Sequence, residues 1–86
     1  MTIEFSKHAL RQMEIRRLSE EVILSVIYDP KQILIQDSET SIYTKLINES
    51  GNIYLYRVFV NINKKPPLII TAYKTSKIDK YGNPLR

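Results

Sequence analysis

The chain has 86 residues, 43% apolar and 26% charged, which suits one small globular domain over residues 1–86 and argues against disorder, collagen and coiled coil. It has no cysteine, which excludes disulfide staples, thiolate metal sites and thiol nucleophiles. Its net charge of +4 is uneven: residues 1–56 carry six Lys/Arg against eight Asp/Glu, whereas residues 57–86 carry seven Lys/Arg against Asp79 alone, and a basic half points to a polyanionic partner. In chain order, Ile3 to Phe5 reads as a short strand, and Ser6 as the N-cap of a helix over about 7–17 with an apolar stripe of Ala9, Leu10 and Met13. Ser19 reads as a second N-cap, with Glu20 and Glu21 in the first turn of a helix over about 20–29. Pro30 ends that helix, because the ring pushes Asp29 out of helical geometry.

Everything after Pro30 reads as strand: about 33–36, 41–48, 52–62 and 68–75. A turn at Asn48-Glu49-Ser50-Gly51-Asn52 and another at Asn63-Lys64-Lys65-Pro66-Pro67 separate the last three. The expected architecture is α+β, with two N-terminal helices packed on a four-stranded antiparallel sheet, a short extra N-terminal strand as a possible addition, and a tail over 76–86. In the longest strand Tyr54, Tyr56, Val58, Val60 and Ile62 share one side, and Ile53, Leu55, Arg57, Phe59 and Asn61 the other. In the next strand Ile69, Thr71, Tyr73 and Thr75 share a side that reads as the less buried one. Glu4, Lys7, Arg11, Glu14, Arg16 and Arg17 interrupt any apolar leader, and runs such as Leu68-Ile69-Ile70 are too short for a membrane span. The expected compartment is the cytoplasm, with no membrane partner.

His8 is the only histidine and the natural general acid or base near neutral pH. Arg11 and Gln12 stand beside it at i+3 and i+4; the alternative is an exposed histidine with no role. Arg57, between Leu55 and Phe59, offers a bidentate fork suited to phosphate; the alternative is a structural ion pair with Glu4 or Glu14. Thr71 and Tyr73 put two hydroxyls on one strand face, and strand propensity alone also explains them. Lys74, Lys77 and Lys80 follow at spacing three. No Gly-rich phosphate loop and no metal-ligand spacing is present, so an enzyme reading is metal-independent, with no cofactor.

The run from His8 to Ser19, His-Ala-Leu-Arg-Gln-Met-Glu-Ile-Arg-Arg-Leu-Ser, resembles the opening of a small bacterial family, domain of unknown function 4258. Tyr56-Arg57-Val58-Phe59-Val60 resembles its central strand. Ile70 to Lys77, with Lys80 and Tyr81, resembles its last strand and tail. Two positions depart: the family's arginine before Met falls on Gln12, and its glycine falls on Arg17. The resemblance implies a RelE/ParE-like toxin of a type II toxin–antitoxin pair, acting as a metal-independent endoribonuclease. His8, Arg57, Thr71 and Tyr73 would be catalytic. Arg11, Lys74, Lys77, Lys80 and Tyr81 would bind RNA, mRNA being the expected target. A small acidic antitoxin encoded nearby would be the protein partner. A non-catalytic nucleic-acid or protein-binding module and a ParE-like gyrase inhibitor remain as alternatives. The catalytic reading requires His8, Arg57, Thr71 and Tyr73 to face one concave surface, since acid–base group and phosphate clamp serve one reacting centre.

Overall fold

A computed structural model describes residues 2–81, the side chains of residues 80 and 81 excepted. The elements are β1 (Glu4–Phe5), α1 (Lys7–Arg16), α2 (Glu20–Tyr28), β2 (Gln32–Ile35), β3 (Thr40–Glu49), β4 (Asn52–Asn61), β5 (Leu68–Thr75) and a 3-10 turn at Ile78–Tyr81.

Each helix begins where a serine hydroxyl accepts from the open backbone N–H groups of the first turn. Ser6 Oγ accepts from Ala9 N at 2.9 Å, and Ser19 Oγ from Val22 N at 3.1 Å. The Ser6 hydroxyl also donates to Ile70 O at 3.1 Å, tying the start of α1 to β5. α1 ends on a Schellman arrangement. Leu18 N donates to Met13 O at 2.8 Å, Arg17 N to Glu14 O at 3.2 Å, and Arg17 takes the left-handed conformation at φ 56°. Arg17 thus occupies a position where a Cβ is strained and glycine is favoured.

The sheet is five-stranded and mixed, in the order β1-β5-β4-β3-β2. This corrects the expected four-stranded antiparallel sheet. β2, β3, β4 and β5 form an antiparallel meander, but β1 joins the outer side of β5 in parallel, Glu4 opposite Leu68 and Phe5 opposite Ile69. Glu4 N donates to Pro67 O and Ser6 N to Ile69 O, each at 2.9 Å. Hairpin reasoning covers only strands joined by a short turn. β1 is separated from β5 by both helices and three strands, so no local signal announces the pairing.

Both helices lie on one face of the sheet. Ala9, Met13, Leu18, Ile23, Val26 and Ile27 pack there against Tyr56, Val58, Val60, Ile69 and Ala72. Leu10, expected in the stripe of α1, is 42% exposed. A β-bulge at Phe59/Val60 corrects the expected faces of β5: Phe59 pairs with Thr71 but Val60 with Ile69, so Ile70 is the extra residue. The bulge shifts the alternation by one. Ile69 therefore turns into the core with Ala72, while Thr71, Tyr73 and Thr75 turn the other way.

Candidate phosphate-binding face

Register explains how Arg57 is placed. β3 and β4 are joined by two residues, Ser50 (φ 54°) and Gly51 (φ 90°), both in the left-handed region that a tight hairpin of primed type requires. That loop sets Glu49 opposite Asn52 and carries the pairing to Thr44 opposite Arg57. On the other side of β4, Arg57 stands opposite Tyr73 and Phe59 opposite Thr71. Paired residues share a face, so Arg57, Phe59, Thr71 and Tyr73 gather on the face turned away from α1 and α2, all half-buried.

There Arg57 Nη1 donates to Tyr73 Oη at 2.6 Å. The guanidinium carbon lies 5.5 Å from the centre of the Phe59 ring and 5.8 Å from that of Tyr73. The two rings stack with centroids 6.1 Å apart and planes 24° apart. A guanidinium held by cation–π contact and a hydroxyl keeps a fixed orientation. Its charge-assisted donors suit a phosphate oxygen. The neighbouring rings offer flat faces for a base, and Thr71 adds a hydroxyl.

The residue after Tyr73 points the other way. Lys74 Nζ reaches Glu49 Oε1 at 2.6 Å and lies 4.5 Å from the centre of the Tyr54 ring and 5.9 Å from that of Tyr56. The Tyr56 hydroxyl donates a short hydrogen bond to the other oxygen of Glu49. The Lys74 hydrogen bond, seconded by that of Tyr56, holds the Glu49 carboxyl below its ordinary pKa. Burial, reinforced by Glu49, pushes the Tyr56 hydroxyl well above its own. Lys74, expected to bind nucleic acid beside Tyr73, is thus tied to a carboxylate on the helix-side face. The sequence reading missed Glu49 and Tyr56 because it placed Glu49 in the turn. Reading Ser50-Gly51 as a two-residue loop would have put Glu49 at the end of β3, on the same face as Tyr54 and Tyr56.

The remaining expected residues are dispersed. His8 is exposed in the first turn of α1. It lies on α1, whose buried residues pack on the face of the sheet opposite to the one that carries Arg57. Arg11 and Glu14 are exposed on the same helix. Arg16 Nη1 donates to Ala72 O at 2.9 Å, anchoring the end of α1 to β5. Lys77 is exposed just beyond β5. The side chains of Lys80 and Tyr81 lie outside the described residues. Arg57, Thr71 and Tyr73 are what the fold brings together.

Among the described residues no helix is long and apolar enough to cross a membrane. No curated protein and no solved structure matches the chain. The family model described as a domain of unknown function, DUF4258, matches residues 5–74, a span that runs from β1 to Lys74 and takes in Arg57, Thr71 and Tyr73, and the chain belongs to that family.

Proposed function

We propose that the chain is the toxin component of a type II toxin–antitoxin pair, a metal-independent endoribonuclease working in the cytoplasm, whose RNA-binding face is built on Arg57, Tyr73, Phe59 and Thr71. The observation that carries this reading is the Arg57–Tyr73 pair at 2.6 Å, set against two stacked rings. In the reaction, the RNA 2′-oxygen bonds to the adjacent phosphorus as its proton passes to solvent, and the bond from phosphorus to the 5′-oxygen breaks. Arg57 stabilises the charge that builds on the non-bridging oxygens. Tyr73 gives its hydroxyl proton to the departing 5′-oxygen and is reprotonated by solvent. Thr71 orients the phosphate, and Phe59 stacks a base. His8, across the sheet, takes no step. That same separation favours the second reading, a binding module without catalysis, because it removes the one imidazole from the site.

The test is cleavage of mRNA by the purified chain, with EDTA present. Wild type cleaves, and Tyr73→Phe and Arg57→Ala each lose about 10²-fold or more, the usual contribution of one positioned acid or charge stabiliser. His8→Ala stays within a few-fold of wild type. Loss of cleavage in His8→Ala with full activity in Tyr73→Phe overturns the assignment. A wild-type chain that binds RNA without cutting it establishes the binding module, and inhibition of DNA supercoiling without RNA cleavage establishes a gyrase inhibitor. The proposed acidic antitoxin covers the Arg57 face, where its carboxylates occupy the place of phosphate.

A further inference from the structure

β2 is the outer strand of the sheet on the side opposite β1. Gln36 N donates to Thr40 O at 3.0 Å, and hydrogen-bonded pairs alternate along an antiparallel ladder. Gln32, Leu34 and Gln36 therefore turn their backbone groups to β3, and Ile33 and Ile35 turn theirs outward. The side chains of those two are also unusually bare, 50% exposed at Ile33 and 81% at Ile35. No charge, proline or bulge protects the strand within Gln32–Ile35, contrary to the usual treatment of an edge. The nearest charges along the chain are Lys31 before it and Asp37 after it.

Those charges are symmetric about Leu34. When β2 pairs antiparallel with itself about Leu34, Ile33 of one copy faces Ile35 of the other, Gln32 faces Gln36, and Lys31 comes level with Asp37. The outward backbone groups of Ile33 and Ile35 then fall in hydrogen-bonded pairs, as the ladder requires, and Leu34 meets its own counterpart in a non-hydrogen-bonded pair. A shift of one residue would bring the inward-facing groups to the edge. A shift of two would set Lys31 or Asp37 against isoleucine. Asp37 also caps the turn that follows: Glu39 N and Thr40 N both donate to its Oδ1 at 2.8 Å, and these bonds lower its pKa.

We propose that the chain self-associates through β2, two copies pairing antiparallel about Leu34 into one continuous sheet with a closed two-fold axis. Paired residues share a face, so the two Arg57 sites come to the same side of the joint sheet. Five strand spacings separate them, or about 24 Å across the strands. The pairing does not depend on what Arg57 binds.

Sedimentation of the full chain over a concentration series should show a species of twice the monomer mass. Ile35→Lys, which places a cation in the apolar pair and disturbs a side chain already exposed in the single chain, should give the monomer only, with an unchanged far-ultraviolet circular dichroism spectrum. Register is read by cross-linking, which the absence of native cysteine makes clean. Leu34→Cys should form a disulfide between copies under mild oxidation, because its Cα atoms stand about 4.5 Å apart in a non-hydrogen-bonded pair. Gln32→Cys should not, because its counterpart is four residues away along the strand. A wild-type chain that stays monomeric throughout, or a dimer that survives Ile35→Lys, or cross-linking as strong in Gln32→Cys as in Leu34→Cys, overturns the proposal. A monomer would leave the edge to a strand from a different protein.

Discussion

Tyr73 and Lys74 are neighbours in one strand and serve opposite faces of it. On the helix side, the Lys74 ammonium lies over Tyr54 and is matched by the Glu49 carboxylate, which the Tyr56 hydroxyl also holds. On the other side, the Arg57 guanidinium lies beside the stacked rings of Phe59 and Tyr73 and donates to the Tyr73 hydroxyl. Both clusters put a cation against aromatic rings, yet their chemistry differs. An ammonium tied to a carboxylate contributes to holding β3, β4 and β5 in register. A guanidinium oriented by rings and a hydroxyl is the arrangement on which the proposed phosphate site rests. Charge counted along the sequence treats Lys74 and Arg57 alike; the pleat and the partner across the strand separate them.

The largest test of that division is packing. Ile69 is fully buried beneath the helices, and Ile69→Ala should cost about 2–5 kcal/mol, the usual range for an aliphatic core truncation. Phe59→Leu, on the opposite face, loses the ring stacked on Tyr73 and should cost only about 1 kcal/mol. Urea unfolding of the two variants reads the difference directly. Equal losses would mean that the Arg57 face carries as much of the fold as the helix side does.

A smaller effect of opposite sign sits at the end of α1. Arg17 adopts φ 56°, a conformation that costs a residue with a Cβ more than glycine. Arg17→Gly should therefore gain about 0.5–1 kcal/mol, the left-handed strain relieved less the added freedom of the unfolded chain. RNA cleavage per folded molecule should not change, because Arg17 belongs to the helix layer. A variant that is more stable but inactive would place Arg17 in the site and weaken the separation of the two faces.

The elements were legible because their signals are local. Ser6 and Ser19 mark helix starts, Pro30 marks a stop, and the period-two pattern of β4 assigned Tyr56, Val58 and Val60 to one face and Arg57 with Phe59 to the other. Three features were not legible, each for a non-local reason. The parallel pairing of β1 joins residues far apart in the chain. The bulge opposite Phe59 and Val60 is invisible in the apolar run Leu68-Ile69-Ile70, where every phase looks equally buried. The position of His8 depends on which face of the sheet α1 covers, and helix periodicity says nothing about that. For the candidate site, strand alternation put Thr71 and Tyr73 on one face and singled out Arg57 among apolar neighbours, but the cross-strand pairing that gathers the three was not legible; Glu49 was missed because its strand was ended too early.

The smallest expected effect is the pH dependence of the helix-side cluster, which adds to that of Asp37 at the acid end. Glu49 titrates below its ordinary value of 4.5, so its ionised form is favoured by folding. The stability it contributes is fully present above about pH 4.5 and is lost as pH falls through the lowered folded value. Tyr56 titrates above its ordinary value of 10.0, so folding favours its protonated form, and that contribution is present below pH 10 and lost as the pH rises beyond it. Wild type should therefore lose stability at both ends of the range. Glu49→Gln keeps an acceptor for Tyr56 and Lys74 but has no charge to titrate, so the acid-side loss relative to wild type should shrink. Tyr56→Phe should flatten the alkaline side in the same way. Tyr73→Phe, one residue from Lys74 but on the other face, should leave the acid limb unchanged. Urea midpoints measured from about pH 3 to beyond about pH 10 give the comparison: if Glu49→Gln and wild type run parallel over the acid limb, Glu49 carries no folding-linked proton, and the contrast between the two cation clusters rests on geometry alone.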